Sequence, residues 1–258
     1  MNLKEKVFNL FGVFVEKIVP QKRIKNILKR ILPKKIDIDL IRLGENGDGG
    51  YLVPNDLNNI DKNYSAGVGF LTKFEQDLEN IYFISSNLLD FNEVDKKIVP
   101  NKSQFLKKKL SLEDNSDEIS INNWIKDTDK EIILKIDIEG DEYAVLTNIS
   151  EKNLRKIRIL VVEFHGLRNF RSHFFLNHFE KILSRLEKIF HPCHLHINNS
   201  GKQKKINGYY IPDMIEMTFI RKDRVKNLTG EFTKLPHPLD RRTVDYKDEI
   251  FIDPKWYI

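Results

Sequence analysis

The sequence predicts an α/β fold in which a mostly parallel, Rossmann-like sheet carries helices on both faces. Three observations lead there. From about residue 36 onward, short β-type runs alternate with helical or loop segments, the pattern of strands joined by crossover connections. Helical periodicity at 73–80, 142–146 and 174–190 follows strand-like runs, as right-handed crossovers require. Glycines and acids collect where those strands end, the side on which open α/β sheets take their ligands.

Residues 1–35 are expected to form a basic, amphipathic helical extension, and 36–258 the Rossmann-like domain. In the extension, Phe8, Leu10, Phe11, Phe14, Val15 and Ile18 precede Pro20. After it, Ile24, Ile27, Leu28, Ile31 and Leu32 recur at helical spacing with basic residues between them. Such a helix can dock on its own domain, join a second subunit in a homo-oligomer, or make peripheral membrane contact. No lipidation motif accompanies it, which favours docking or self-association. The candidate strands of the domain are 63–68, 81–85, 132–138, 157–164, 194–197 and 215–221. A polar stretch at 90–129 has weak periodicity and one further strand near 119–121.

A chain of 258 residues buries a core without covalent staples, and its one cysteine, Cys193, has no partner in the chain. That favours a reducing, cytoplasmic setting. No apolar run reaches the roughly 18 residues of a membrane span, and the N-terminus lacks a signal-peptide pattern. Lysine and arginine number 43 against 38 acids, giving a net charge of +5 and a pI near 9.0. The charges mostly interleave, and the clusters Lys107 to Lys109 and Lys202 to Lys205 lack the interposed aromatics of a single-strand platform. No nucleic-acid partner is expected.

Gly67-Val68-Gly69 ends the first core strand and precedes a helix that contains Phe74-Glu75, so the chain there turns tightly at the ligand end of the sheet. Upstream, Arg42-Leu43-Gly44 and Asp48-Gly49-Gly50-Tyr51 make either a plain turn or a loop of backbone donors for charged ligand groups. Lys135-Ile136-Asp137-Ile138-Glu139-Gly140-Asp141-Glu142 is more specific: an apolar strand delivers several acids, a glycine and a helix start. Asp141 and Glu142 fit helix N-terminal acids, whereas Asp137 precedes the helix and has no such role. Glu163 and His165 share a face at the end of the next strand, and His194, His196, Asn198 and Asn199 form a third polar set. Strand ends that together supply Asp, Glu, His and Asn point to a site. Asp137, Glu163 and His196 each end a different strand and would converge on one divalent cation, Mg²⁺ or Mn²⁺, with His165 beside it. The alternative is a metal-free site in which His165 alone is the base.

On these motifs, with Ser65-Ala66 before the glycine turn and Tyr143-x-x-Leu146 after the acidic run, the chain resembles the FkbM-type family of S-adenosylmethionine-dependent methyltransferases over roughly residues 40–221. The resemblance implies a class I methyltransferase fold with a seven-stranded sheet. It implies S-adenosylmethionine as cofactor, held by Asp48, Gly49, Gly50, Tyr51, Ser65, Gly67, Gly69, Glu75 and Asp137. His165, Asp137 and Glu139 would be catalytic. The implied reaction is O-methylation of a saccharide or nucleotide-activated sugar, as in surface polysaccharide or glycoconjugate biosynthesis. One departure stands out: if 81–85 is the second strand, Ser85 occupies the usual place of a ribose-binding acid, and Ser85, Asn87 or Asp90 must substitute. That departure suggests one alternative, a non-catalytic binding module on the same fold. The other is a methyltransferase for a different small molecule or for nucleic acid.

Overall fold

The computed structural model describes residues 18–258. Helix α1 (Gln21–Ile31) and strand β1 (Lys34–Ile36) lead into an antiparallel hairpin, β2 (Leu40–Gly44) and β3 (Gly50–Pro54). Then come β4 (Lys62–Ala66), α2 (Lys73–Tyr82), β5 (Ser85–Asp90), β6 (Gln104–Lys107), β7 (Lys109–Ser111), β8 (Glu118–Ser120) and the short α3 (Ile121–Trp124). They are followed by β9 (Ile132–Ile136), α4 (Glu142–Asn148), α5 (Glu151–Lys156), β10 (Ile157–Phe164), α6 (His173–Leu186) and β11 (Phe190–Ile197). The chain closes with the hairpin β12 (Gln203–Ile206) and β13 (Tyr209–Pro212), then β14 (Ile215–Arg221) and β15 (Leu228–Phe232).

Seven strands form one sheet in the order β11-β14-β10-β9-β4-β5-β6. All neighbours pair in parallel except β14, which is antiparallel to β10 and β11. This is the mostly parallel seven-stranded sheet that the sequence predicts. The central strands β9 and β10 are buried on both faces and are accordingly near-continuous runs of Ile, Leu and Val. Alternation divides their side chains between two cores. Ile132, Leu134, Ile136, Leu160, Val162 and Phe164 pack with α1, α4 and α6. Ile133, Ile159 and Val161 pack under the hairpin residues Leu43, Tyr51 and Val53 and the α2 residues Phe74 and Leu78. Lys135 and Glu163 continue this second set, so the polar ends of β9 and β10 emerge beneath the hairpin.

The described part of the basic extension lies on its own domain. Ile24, Ile27, Leu28 and Ile31 of α1 are fully buried in the larger core, and Arg23 and Arg30 pair with Glu180 and Glu187 at 2.5 and 2.7 Å. Each buried aliphatic side chain contributes roughly 1.5–3 kcal/mol, against at most about 1 kcal/mol for a partly exposed ion pair. Apolar burial therefore holds the helix, and the arginines fix its register. The expected helical stretch with Phe8 to Val15 lies outside the described residues. No described helix is long and apolar enough to cross a membrane.

Several expectations change. The strands expected at 63–68 and 132–138 end at Ala66 and Ile136, where the glycine turn and the acidic run leave the sheet, and the stretch 90–129 holds β6, β7 and β8 rather than one strand near 119–121. The run 81–85 is not the second strand: α2 continues through Tyr82, and Phe83 closes it in the left-handed conformation, its N–H donating to the Leu78 carbonyl. Phe74, Leu78 and Tyr82 keep helical spacing, which overrides the β propensity of Ile-Tyr-Phe-Ile, and the strand begins at Ser85 and ends at Asp90. Likewise α6 stops at Leu186, and β11 starts at Phe190, four residues before the expected strand.

Candidate functional site

A cavity of about 710 Å³ opens at the carboxyl ends of β4, β5 and β9, where the strand order reverses. Gly67, Val68 and Gly69 form one wall, Asp90 and Phe91 a second, Asp137 and Glu139 a third, and the hairpin loop with Asp48, Gly49 and Tyr51 a fourth. Six of the residues expected at the cofactor, Asp48, Gly49, Tyr51, Gly67, Gly69 and Asp137, thus line one space. Gly50, Ser65 and Glu75 do not. Glu75 sits in the first turn of α2 facing the sheet, fully buried, where it accepts a 2.5 Å hydrogen bond from Ser65 Oγ and stands 3.5 Å from Lys135 Nζ. Its place is under the floor of the cavity. There it pairs with Lys135, whose Nζ lies 5.3 Å over the Tyr51 ring.

The two glycines of the turn do different things. Gly67 has φ 76°, and a Cβ there would lie 1.5 Å from the Asp137 carbonyl oxygen, so this glycine lets the ends of β4 and β9 touch. Gly69 has φ 55°, and its missing Cβ would meet nothing within 4 Å. Asp90 ties the turn to β5: one carboxylate oxygen accepts from the N–H groups of Val68 and Gly69, both at 3.0 Å, and the other from Asn92 at 2.7 Å. The acid that seemed missing is therefore present at the end of the second strand. The corrected strand frame carries it there, and the run Leu88-Leu89-Asp90 was its sequence signal.

Asp137 and His165 follow β9 and β10, and His165 Nε2 lies 3.9 Å from Asp137, 3.5 Å from Glu139 and 4.0 Å from Glu163. Burial pushes the Asp137 carboxyl up to about 6, with Glu139 and Glu216 adding to the rise against Lys135 and His165. Burial likewise raises Glu163 well above the ordinary range, and Asp137 and Glu216 reinforce it, although Asn198 Nδ2 donates to it at 2.7 Å. Burial alone would lower His165. The carboxylates of Glu142, Asp137 and Glu139 outweigh that and raise it. The Tyr51 hydroxyl, kept protonated by burial and by Asp137, donates to Asp137 Oδ2 at 3.3 Å. Glu139 is a non-glycine residue at φ 57° with its side chain 87% exposed, a strained position that projects a carboxylate into the opening.

Glu142 takes its expected place as an acid in the first turn of α4 and has a second contact besides: fully buried, it accepts from the backbone N–H groups of Gly140 and His165 at 2.8 Å each, and stands 3.4 Å from His165 Nδ1. It stands behind the imidazole, whose Nε2 is left toward the acids. Helical spacing carried no sign of this, because the contact joins the start of α4 to the end of β10.

The expected trio Asp137, Glu163 and His196 does not form. Glu163 pairs in register with Glu216, and Glu216 with His196, so two inter-strand steps, about 10 Å in all, separate His196 from Glu163. Its ring nitrogens face Glu216 at 3.4 Å and Glu249 at 3.3 Å. Burial opposes its charge, but the two carboxylates raise it to about 10, and a ligating imidazole must be neutral. Among the described residues, Asp137, Glu163 and His165 instead bring ligand atoms within 4.8 Å of one another.

A second cavity, of about 630 Å³, adjoins the first, and Glu139 lines both. His165 opens into the second and Asp137 into the first, so the gap between those two side chains is the junction.

A family model described as the methyltransferase FkbM domain matches residues 53–190. Similar solved structures include a precorrin-6y C5,15-methyltransferase from Geobacter metallireducens GS-15, 9% identical over 80% of this chain and 91% of that one, with a TM-score of 0.34. Another is M. capricolum TrmK in complex with S-adenosyl-homocysteine, 11% identical over 74% of this chain and 75% of that one, with a TM-score of 0.32. No curated protein matches.

Proposed function

Because this chain belongs to the FkbM family of methyltransferases, we propose that it moves a methyl group from S-adenosylmethionine to a hydroxyl oxygen of a saccharide. The observation that carries this reading is the position of His165, whose Nε2 stands at the junction of two cavities, 3.9 Å from Asp137. The first cavity fits the cofactor. Its size suits a small-molecule site, Gly69 is open toward it, and Asp90 supplies the acid at the end of the second strand. Asp90 thereby removes the motive for a non-catalytic module.

Bound there, S-adenosylmethionine supplies an electrophilic methyl group whose sulfonium carries its own leaving group. The protein must align the acceptor oxygen and take its proton. With the cofactor supplying the methyl group, His165 Nε2 would take the hydroxyl proton and pass it on to solvent. Glu142 and the Tyr143 hydroxyl, which donates to the His165 carbonyl at 2.6 Å, hold the histidine in place. Tyr51 holds Asp137 beside it. A role in surface polysaccharide or glycoconjugate biosynthesis follows from the family resemblance. A second reading rests on the Asp137, Glu163 and His165 cluster, which a divalent cation would neutralise while lowering the acceptor's pKa. Incubation with methyl-labelled S-adenosylmethionine and a panel of saccharides and nucleotide-sugars tests the proposal. Label on a sugar oxygen is the expected result, and absence of cofactor-product binding by calorimetry would overturn it.

A further inference from the structure

We infer that the second cavity is the acceptor site and that it takes a neutral glycosyl ring rather than the nucleotide-diphosphate form of a sugar; the inference rests on the methyltransferase reading above. The cavity lies between the start of α4, the loop after β10, the first turn of α6 and the turn from β13 to β14. Among the described residues Glu139 lines both cavities, and His165 stands beside it at that end of the second. A hydroxyl presented at that end meets the base, and the rest of its ring must occupy the space behind.

That space is lined for a ring without charge. Tyr143 and Phe175 meet edge-on at 5.2 Å and are backed by Phe164, Phe170 and Phe179, so they form a wall fixed by the core. Phe174 is 80% exposed at the rim. An aromatic face carries negative charge density, and the C–H bonds of a pyranose, polarised by their oxygens, settle against it. Exposure of so large an apolar side chain beside a cavity has a use if a ring covers it. Asn169 and His178 bring polar atoms to the same space.

The charges exclude a diphosphate. Phosphate groups are held by unpaired cations or by converging backbone N–H groups. Here the lining has one guanidinium, Arg168, already 3.4 Å from Asp213, against the two carboxylates of Asp213 and Glu139. The nearby hairpin lysines Lys204 and Lys205 are exposed and do not line the cavity. With His165 neutral, as a base must be, a nucleoside diphosphate would meet more negative than positive charge.

Saturation-transfer NMR on the whole protein with S-adenosyl-homocysteine tests this, with methyl glycosides of common hexoses and deoxyhexoses as probes beside their UDP- or GDP-linked counterparts. At least one neutral glycoside is expected to receive saturation. The signal should vanish in Ala144→Trp, which fills the cavity, and weaken severalfold in Phe174→Ala, a surface change that leaves folding aside. Calorimetric affinity for S-adenosyl-homocysteine should stay within about twofold in both. Saturation confined to nucleotide-sugars, glycoside binding indifferent to both substitutions, or no glycoside binding at all would overturn the inference. Failure of the wild type to bind S-adenosyl-homocysteine would instead overturn the methyltransferase reading beneath it.

Discussion

The two cavities that meet at Glu139 are built by different means. The first is largely a backbone construction: Gly67 permits contact between two strand ends, and Asp90 gathers the N–H groups of Val68 and Gly69. The second is made of side chains on two helices, a loop and a turn, with Tyr143, Phe174 and Phe175 as its wall. Main-chain geometry suits a ligand common to a whole family, since exchange of side chains leaves strand ends in place. Side chains on surface segments can be exchanged without disturbing the sheet, which suits a ligand that differs between relatives.

The largest expected effect falls at the junction. His165→Gln should lower turnover by about 10²–10⁴ while leaving calorimetric affinity for S-adenosyl-homocysteine unchanged; a rate within threefold of wild type would place proton removal elsewhere. The next test separates fold from ligand within one turn. Gly67→Val must displace the Asp137 carbonyl and should cost on the order of 3 kcal/mol, seen as a large drop in melting temperature. Gly69→Val, strained by about 1–2 kcal/mol, should stay folded and lose roughly tenfold or more in cofactor-product affinity. Exchange of those two outcomes would reverse the roles given to the glycines.

A smaller effect concerns pH. On the proposed mechanism His165 is the neutral base, so the rate should rise with pH through its raised pKa, above the ordinary value of about 6.5. Glu142→Gln removes the strongest influence holding it up. Its rising limb should therefore move to lower pH with about tenfold lower kcat; an unmoved limb would make Glu142 merely structural. Asp137→Asn should raise the melting temperature by a few degrees at pH 8. The folded carboxyl, near 6 against about 4 unfolded, contributes stability below the lower value and loses it as pH rises through the upper one. The gain from Asn should accordingly shrink as pH falls from 6 to 4, and thermal melts across that range check it. The smallest effect is expected from chelation: exhaustive EDTA should leave activity intact. Loss with rescue by Mg²⁺ or Mn²⁺ would move the chemistry to a cation held by Asp137, Glu163 and His165.

Much of this was legible in the chain itself. The strands 157–164 and 215–221 have the predicted bounds, because long runs of Ile, Leu and Val buried on both faces leave little choice of structure. Asp137 and His165 were found for the same reason, as polar residues where apolar strands stop. The aromatic run at 81–84 was misleading because local β propensity and helical spacing disagreed there, and packing of Phe74 and Leu78 decided the matter.

By itself, then, the sequence determined the sheet, the end of it that carries chemistry, and the family, since each rests on residues adjacent along the chain or on one periodicity. The tertiary structure alone decided which side chains meet. It set Glu216 between Glu163 and His196, so that His196 pairs with acids and His165 joins Asp137. It turned Glu142 inward onto His165 and brought Asp90 to the glycine turn. Those partners lie 20 or more residues apart or on non-adjacent strands, and only the sheet order and register fix their distances.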